Sequence, residues 1–312
     1  MINPQSTLAG TASNSVDRPA PEVGFAGLGR IGTQMVERLL AESMPVSIWN
    51  RSTSKCAALQ AHGASTAASL AGLAQTCSII CLCLSDTAAV EKVVFAEDGL
   101  YPALRRGSLI IDLSSISPQK TLEFAKRLHA ERGVGWLDAP VSGGLPAARA
   151  GTLTVFAGGD AEHLQQAAPV LSLLAKRVTH MGGSGAGQLA KSCNQMLVAS
   201  QVAVIAEMLA FARRAGVDVA QLPQAMAGGF ADSLPLQIFG TRMALRQTTP
   251  SVGAMEVMLK DIDQSTALAR AVGSPTPVVA AAAEVYRQAV SHPGLGPQTD
   301  LCSLIQLYDH AS

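Results

Sequence analysis

VGFAGLGRIG, residues 23–32, is the stretch whose reading decides the fold. A short apolar run ends in G-x-G-x-x-G, and Met35, Val36, Leu39 and Leu40 follow at helical spacing. The hexapeptide alone is a weak signal, because glycine-rich turns are common. A strand before it and an amphipathic helix after it give it meaning. The glycines permit a tight turn and close backbone approach, and the positive helix N-terminus suits a pyrophosphate. The stretch predicts a dinucleotide-binding turn at the start of a doubly wound sheet.

Outward from there, strand and helix signals alternate. Val46–Trp49 reads as the second strand and runs into Asn50-Arg51-Ser52. An acidic residue usually stands at this strand end, roughly 20 residues past the glycines, to hold the ribose hydroxyls of NAD. Here Asn50 can hydrogen-bond without repelling an anion, Arg51 can pair with a 2′-phosphate, and Ser52 adds a hydroxyl. NADP(H) is therefore expected in preference to NAD(H), with a polar turn carrying an exposed arginine as the competing reading. Ser78–Leu84 is a dense apolar run fitting a strand buried on both faces, and Ser85-Asp86 follows it. Leu109–Ile111 leads through Asp112-Leu113-Ser114-Ser115 to a helix opened by Pro118. Strand ends face the cofactor crevice in such sheets, which makes Ser85 and Ser115 candidate contacts, although serine is equally a routine helix cap. Trp136-Leu137 runs into DAPVSGG, 138–144, where Ser142, Gly143 and Gly144 expose consecutive backbone N–H groups suited to a carboxylate. An ordinary Pro/Gly turn explains the same residues. Further strands are expected at Thr152–Ala157 and Val178–Met181, with a helix from Ala161 between them.

The pattern changes at GGSGAGQLAKSCNQ, 182–195. Four glycines precede a helix on which Lys191, Asn194 and Gln195, at i, i+3 and i+4, share one face. Taken alone, this is either a linker before a solvated face or a hinge presenting an amine and two amides to a site. Beyond it only helical runs follow, at about Gly187–Arg214, Val219–Ala227, Pro235–Arg246, Gly253–Val272 and Pro277–Val290. The expected architecture is α/β: a Rossmann-like doubly wound sheet over 21–183 and an all-α domain over 184–312 for substrate and oligomerisation, joined by a long interdomain helix. Residues 1–20 are polar, lack the apolar core of a secretory signal and read as a disordered tail.

Composition narrows the function classes. Hydrophobic residues make up 48 % of the 312 residues, charged residues 15 %, and net charge is zero, which argues against nucleic-acid or membrane-surface binding. Met196–Ala212 is interrupted by Gln201 and Glu207 and falls short of the roughly 20 apolar residues of a membrane span, so it is expected as a buried helix. The six cysteines form no C-x-x-C pair and the six histidines are dispersed; a reduced, cytoplasmic protein without a metal site is expected. The Ala-rich C-terminal half suits subunit packing. Arg242 or Arg246 is read as solvated in preference to contacting an acidic substrate.

Taken together, GFAGLGRIG (24–32), WNRS (49–52), CLSD (83–86), DLSSISP (112–118), DAPVSGG (138–144), GAGQLAKSCNQ (185–195) and LKD (259–261) resemble the β-hydroxyacid dehydrogenase family from about Val23 to the C-terminus. The resemblance implies cofactor contacts from Gly27, Leu28, Gly29, Arg30, Ile31 and Gly32, from Asn50, Arg51 and Ser52, and from Leu84, Ser85, Ser115 and Lys260. It implies a small carboxylate substrate held by Ser142, Gly143, Gly144, Asn194 and Gln195, with Lys191 as general acid/base. Desolvation between closing domains is the lever expected to lower the lysine pKa. A homodimer or homotetramer is implied as well. Two departures stand out. Gln195 replaces the commoner second Asn of K-x-x-N-N, as in tartronate semialdehyde reductases, to which GGFADS (228–233) is also similar. Asn50-Arg51 resembles instead the NADPH-dependent glyoxylate/succinic semialdehyde reductases, and Val252-Gly253-Ala254 stands where the family often has an aromatic. The competing functions are an imine reductase of the same architecture, which usually has Asp or Tyr in place of the lysine, and a non-catalytic NADP-binding protein.

Overall fold

The computed structural model describes residues 23–309, so the tail expected over 1–20 lies outside the described residues. The sheet contains β1 (Val23–Ala26), β2 (Val46–Trp49), β3 (Ser65–Thr66), β4 (Ile79–Leu82), β5 (Leu109–Asp112), β6 (Gly135–Asp138), β7 (Val141–Ser142), β8 (Leu153–Gly158) and β9 (Ala175–Gly182). Its order is β3-β2-β1-β4-β5-β6-β8-β7, with β9 paired to β8. Every neighbouring pair from β3 to β6 is parallel, whereas β8 runs antiparallel to β6 and β7. The order reverses at β1, and in open sheets of this type the ligand crevice lies there, past the carboxyl ends of the strands.

The helices of this half are α1 (Arg30–Ala41), α2 (Ser54–Ala61), α3 (Leu70–Thr76), α4 (Thr87–Phe95), α5 (Pro118–Arg132), α6 (Gly144–Ala150) and α7 (Ala161–Leu174). Successive strand side chains point to opposite faces, and the burial follows that period. Ile79 and Cys81 join Met35, Leu39, Val170 and Leu174 under α1 and α7. Ile80 and Leu82 pack with Leu73, Val90 and Phe124 under α3, α4 and α5. A Cβ on Gly32 would lie 2.1 Å from the Gly27 carbonyl oxygen, so α1 reaches the loop only with glycine at that position.

The second half is helical: α8 (Ala186–Arg214), α9 (Leu222–Ala225), α10 (Thr241–Ala244), α11 (Met255–Ala271) and α12 (Pro277–Ser291). Leu209, Met243, Met258, Ile262 and Tyr286 centre its core. Three features differ from expectation. The run expected over Val219–Ala227 shrinks to the single turn of α9, because Pro223 has no N–H to give a helix begun four residues earlier. The helix expected over Pro235–Arg246 opens with wider turns over Leu236–Gly240 before tightening into α10. A 3-10 segment over Leu301–Tyr308, beyond the last helical run expected, seats Leu301, Leu304 and Ile305 in the core. By length and composition α8 would reach across a membrane, and 39 % of that window is buried inside the protein. Its inner face is core, while Leu197, Val204 and Phe211, seven residues apart, stay exposed at 66, 56 and 73 %.

Candidate active site

The site begins where the sheet meets α8. Asp138, the last residue of β6, is fully buried. Its Oδ1 accepts from the Gly185 N–H at 2.8 Å and its Oδ2 from the Gln188 N–H at 3.0 Å, so it satisfies donors that a helix N-terminus leaves unpaired. Gln188 completes the joint: its Oε1 accepts from the Ile116 N–H at 3.1 Å and its Nε2 donates to the Ser114 carbonyl at 2.9 Å. A Cβ on Gly187 would come within 2.3 Å of the Phe156 carbonyl oxygen, so the helix packs against β8 through glycine. The first turn of α8 is thus fastened to β5, β6 and β8. Burial pushes the Asp138 carboxyl above its ordinary value against the pull of backbone donors, and it pushes Asp112 up to about 7 against the hydrogen bonds of Ser114.

Lys191 stands one turn further along α8. Its Nζ donates to Gln195 Oε1 at 2.8 Å, and Asn194 Nδ2 donates to the same oxygen at 2.9 Å. Gln195 Nε2 donates to Asp261 Oδ2 on α11 at 2.7 Å. Asn194 Oδ1 accepts from the Ser142 hydroxyl at 3.5 Å. Asp261 Oδ1 pairs with Lys260 at 3.2 Å, and the Lys260 Nζ donates to the Ser85 carbonyl at 3.1 Å. Burial lowers the Lys191 pKa to about 8; the Asp261 carboxylate opposes that shift and the Lys260 ammonium adds to it. Ser115 lines the small cleft beside Lys191, together with Gln195 and Asp261. The structure thus gathers Lys191, Asn194, Gln195 and Ser142 into one hydrogen-bonded cluster, beside the exposed Gly143 and Gly144.

The crevice side holds the remaining expected residues, some in altered roles. Asn50 Oδ1 accepts from the Leu28 N–H at 2.9 Å and its Nδ2 donates to the Ser52 carbonyl at 3.0 Å, so it shapes the glycine loop from within. Arg51 and Ser52 are exposed at the strand end. The Leu84 N–H donates to Ser114 Oγ at 2.9 Å, which leaves its carbonyl as the backbone group Leu84 can offer the crevice. The Ser85 hydroxyl donates to Asp86 Oδ2 at 2.7 Å, and Asp86 caps α4 through the Ala89 N–H; Ser85 therefore serves a helix start and offers its carbonyl to the site. Arg30 reaches across to the second half, Nη2 donating to the Ser251 carbonyl at 2.6 Å. Arg242 likewise holds the Pro250 carbonyl at 2.6 Å, and Arg246, exposed as expected, forks onto Asp309.

The residues around the loop fit a phosphate-bearing cofactor. The N-terminus of α1 has no side-chain cap and no acid in its first turn, which leaves its dipole and amides for an anion. An open groove of about 890 Å³ runs past the loop between α1, α2 and α6, and Arg30, Lys55 and Arg149 line it. Among the described residues no three His, Cys, Asp or Glu side chains come together as a metal site.

Sequence reasoning does not single out Asp138, Gln188 and Asp261 as site-building residues. Asp112 and Asp138 each close an apolar strand, which is the signal that marks them; Gln188 and Asp261 reveal themselves only through contacts with distant segments.

Known proteins are similar to this chain in sequence and in fold. Residues 22–183 match the family model of the NAD binding domain of 6-phosphogluconate dehydrogenase. Residues 185–308 match the family model described as NAD-binding of NADP-dependent 3-hydroxyisobutyrate dehydrogenase. The chain is 35 % identical over 287 residues to 2-hydroxy-3-oxopropionate reductase of Escherichia coli (strain K12), covering 91 % of this chain and 96 % of that protein. Mycobacterium tuberculosis 3-hydroxyisobutyrate dehydrogenase, solved with L-serine, superposes with a TM-score of 0.81 at 28 % identity over 92 % of this chain and 98 % of that one. Psf3, solved in complex with NADP+ and 2-OPP, gives 0.83 at 27 % identity over 91 % and 99 % of the two chains.

Proposed function

The chain belongs to the β-hydroxyacid dehydrogenase family and is an NAD(P)-dependent oxidoreductase; from that premise we propose that it interconverts a small β-hydroxyacid and its semialdehyde, with NADP(H) preferred and Lys191 as general acid/base. One observation carries the reading. Lys191 lies at the domain junction with its pKa lowered to about 8, within reach of working pH, and its Nζ donates to a neutral amide oxygen. In reduction the ammonium gives a proton to the developing alkoxide; in oxidation the neutral amine takes the hydroxyl proton. When bound, the nicotinamide supplies or accepts the hydride. The exposed amides of Gly143 and Gly144 take the substrate carboxylate, and closure of the two halves excludes water from the site.

NADP over NAD is supported by Arg51 at the second strand end, where an acid would repel a 2′-phosphate. Domain limits near residue 183 are supported by the point at which β9 ends and α8 begins. A homodimer or homotetramer is supported by the exposed stripe on α8.

The test is NADPH consumption by the wild type and Lys191→Ala with glyoxylate, succinic semialdehyde, 2-hydroxy-3-oxopropionate and cyclic imines. Turnover of an oxo acid that disappears in the variant, with NADPH affinity kept, upholds the proposal. Wild-type turnover in Lys191→Ala, or reduction of imines alone, overturns it.

A further inference from the structure

The turn that leads into α11 is held from three directions. Asp300 Oδ2 accepts from the Val252 N–H at 2.6 Å and from the Gly253 N–H at 3.3 Å. Arg242 Nη2 donates to the Pro250 carbonyl at 2.6 Å. Both of these residues belong to the helical half. The third hold comes from the sheet half, where Arg30 Nη2 donates to the Ser251 carbonyl at 2.6 Å across 221 residues of chain. The backbone groups of the turn are thus spent on charged side chains, which make the stronger hydrogen bonds.

Arg30 is the first residue of α1. A cation there opposes the helix dipole, so its own helix gains nothing from it, and its guanidinium finds a partner in the other half. A second tie lies further along α11, where the Lys260 Nζ donates to the Ser85 carbonyl at 3.1 Å. Arg30 rises from the loop after β1, and Ser85 lies in the loop after β4. These strands are neighbours at the point where the sheet order reverses. The dinucleotide crevice opens between their two loops. Hence α11 and its leading turn cross the crevice with one tie on each side.

We propose that Arg30 is a positioning residue that clamps the helical half over the nicotinamide cofactor, its bond to Ser251 breaking before the cofactor leaves. The inference needs only cofactor binding and is independent of the substrate. Arg30 grips a backbone carbonyl of the other half, so it slows the release of NADPH and NADH by the same factor. The clamp forms after the cofactor has entered, and it therefore acts on the dissociation rate more than on the association rate. The turn transmits the grip only while Asp300 and Arg242 hold it to the helical half.

The experiment is stopped-flow release of NADPH and of NADH from the wild type, Arg30→Ala, Asp300→Ala and the double variant, each checked for folding by circular dichroism. Arg30→Ala is expected to release both cofactors about five- to tenfold faster, the scale of one exposed charge-assisted hydrogen bond. In the cofactor-free protein the same change speeds amide hydrogen exchange over residues 250–254. Asp300→Ala loosens the turn from the other end, so adding Arg30→Ala to it quickens release by less than about twofold more. Arg242→Met takes its place in the cycle where Asp300→Ala does not fold. Release unchanged in Arg30→Ala overturns the proposal, as does faster release of NADPH alone. Full additivity in the cycle also overturns it, because Arg30 would then touch the cofactor phosphates directly. A wild type that binds neither cofactor removes the inference together with the dehydrogenase reading, whereas failure to find a substrate leaves the inference standing.

Discussion

Lys191 and Gln195 lie one turn apart on α8, the lysine Nζ 2.8 Å from the glutamine Oε1. The pairing of an amine with a neutral acceptor has a consequence for catalysis. Ammonium and free amine both have a hydrogen to give, so Gln195 holds Lys191 in either charge state. A carboxylate in the same place would bind the ammonium far more strongly and hold its proton. The Asp261 charge is kept one residue away and acts through the amide.

The pH dependence of the two reaction directions follows. Reduction needs the ammonium, so its kcat/KM falls as pH rises through about 8; oxidation needs the free amine, so its kcat/KM rises through the same value. Asp261→Asn removes the charge that opposes the lowering of the lysine pKa, and both limbs then move to lower pH. Rate profiles measured in both directions check this, and limbs unmoved in Asp261→Asn would count against the coupling.

The same shift has a thermodynamic face. The folded pKa of Lys191, about 8, lies below the ordinary lysine value of 10.5, so between those values the unfolded chain binds more protons and stability rises with pH. The burden is full below pH 8 and gone above the unfolded pKa. Lys191→Met, in which Asn194 still satisfies Gln195, is expected to gain about 1–3 kcal/mol at pH 7, after allowance for the half-buried position. Denaturant unfolding at pH 7 and pH 10 tests it: the gain shrinks at the higher pH, and a pH-independent gain contradicts the account.

The parts of this architecture legible in the sequence are those written locally. The glycine loop lies between a strand and a helix that each carry their own period, and Lys191, Asn194 and Gln195 share a face by spacing alone. Asp138 and Gln188 are different. Their partners lie 47 to 74 residues away, so even where a strand end marks Asp138, neither DAPVSGG nor GAGQLAK says what it holds. Asn50 shows the same limit. Its uncharged, hydrogen-bonding chemistry is plain from the residue type, but its partner at Leu28 depends on how β2 lies beside β1.

Arg51 gives the cofactor test. It is exposed at the end of β2, so replacing it leaves the fold untouched and isolates the proposed pairing with a 2′-phosphate. Arg51→Ala is expected to weaken NADPH by about 10- to 100-fold, the scale of a charge-assisted hydrogen bond, while NADH changes little. Fluorescence titration of both cofactors measures it, and equal losses for the two would remove the phosphate contact.

The outer stripe of α8 bears on assembly. Leu197, Val204 and Phe211 repeat every seven residues and remain exposed, a pattern that fits a helix-to-helix seam. Phe211→Asp is expected to shift the protein to a smaller species in light scattering without loss of far-ultraviolet helicity. An unchanged mass would take the subunit contact away from this stripe.

Asp138 gives the last prediction. Its two oxygens take the Gly185 and Gln188 N–H groups inside the protein, and water cannot replace them there. Asp138→Ala leaves both donors unpaired at the start of the helix that carries Lys191, at a cost of about 2–4 kcal/mol. Asp138→Asn keeps one accepting oxygen and should lose roughly half as much. Because the first turn of α8 fixes where Lys191 stands, the alanine variant should also lose kcat by about tenfold or more with NADPH affinity nearly unchanged, since the Asp138 side chain spends its oxygens on α8. Thermal unfolding combined with steady-state kinetics separates the two effects. An Asp138→Ala protein with wild-type melting temperature and kcat would show that α8 does not depend on this cap.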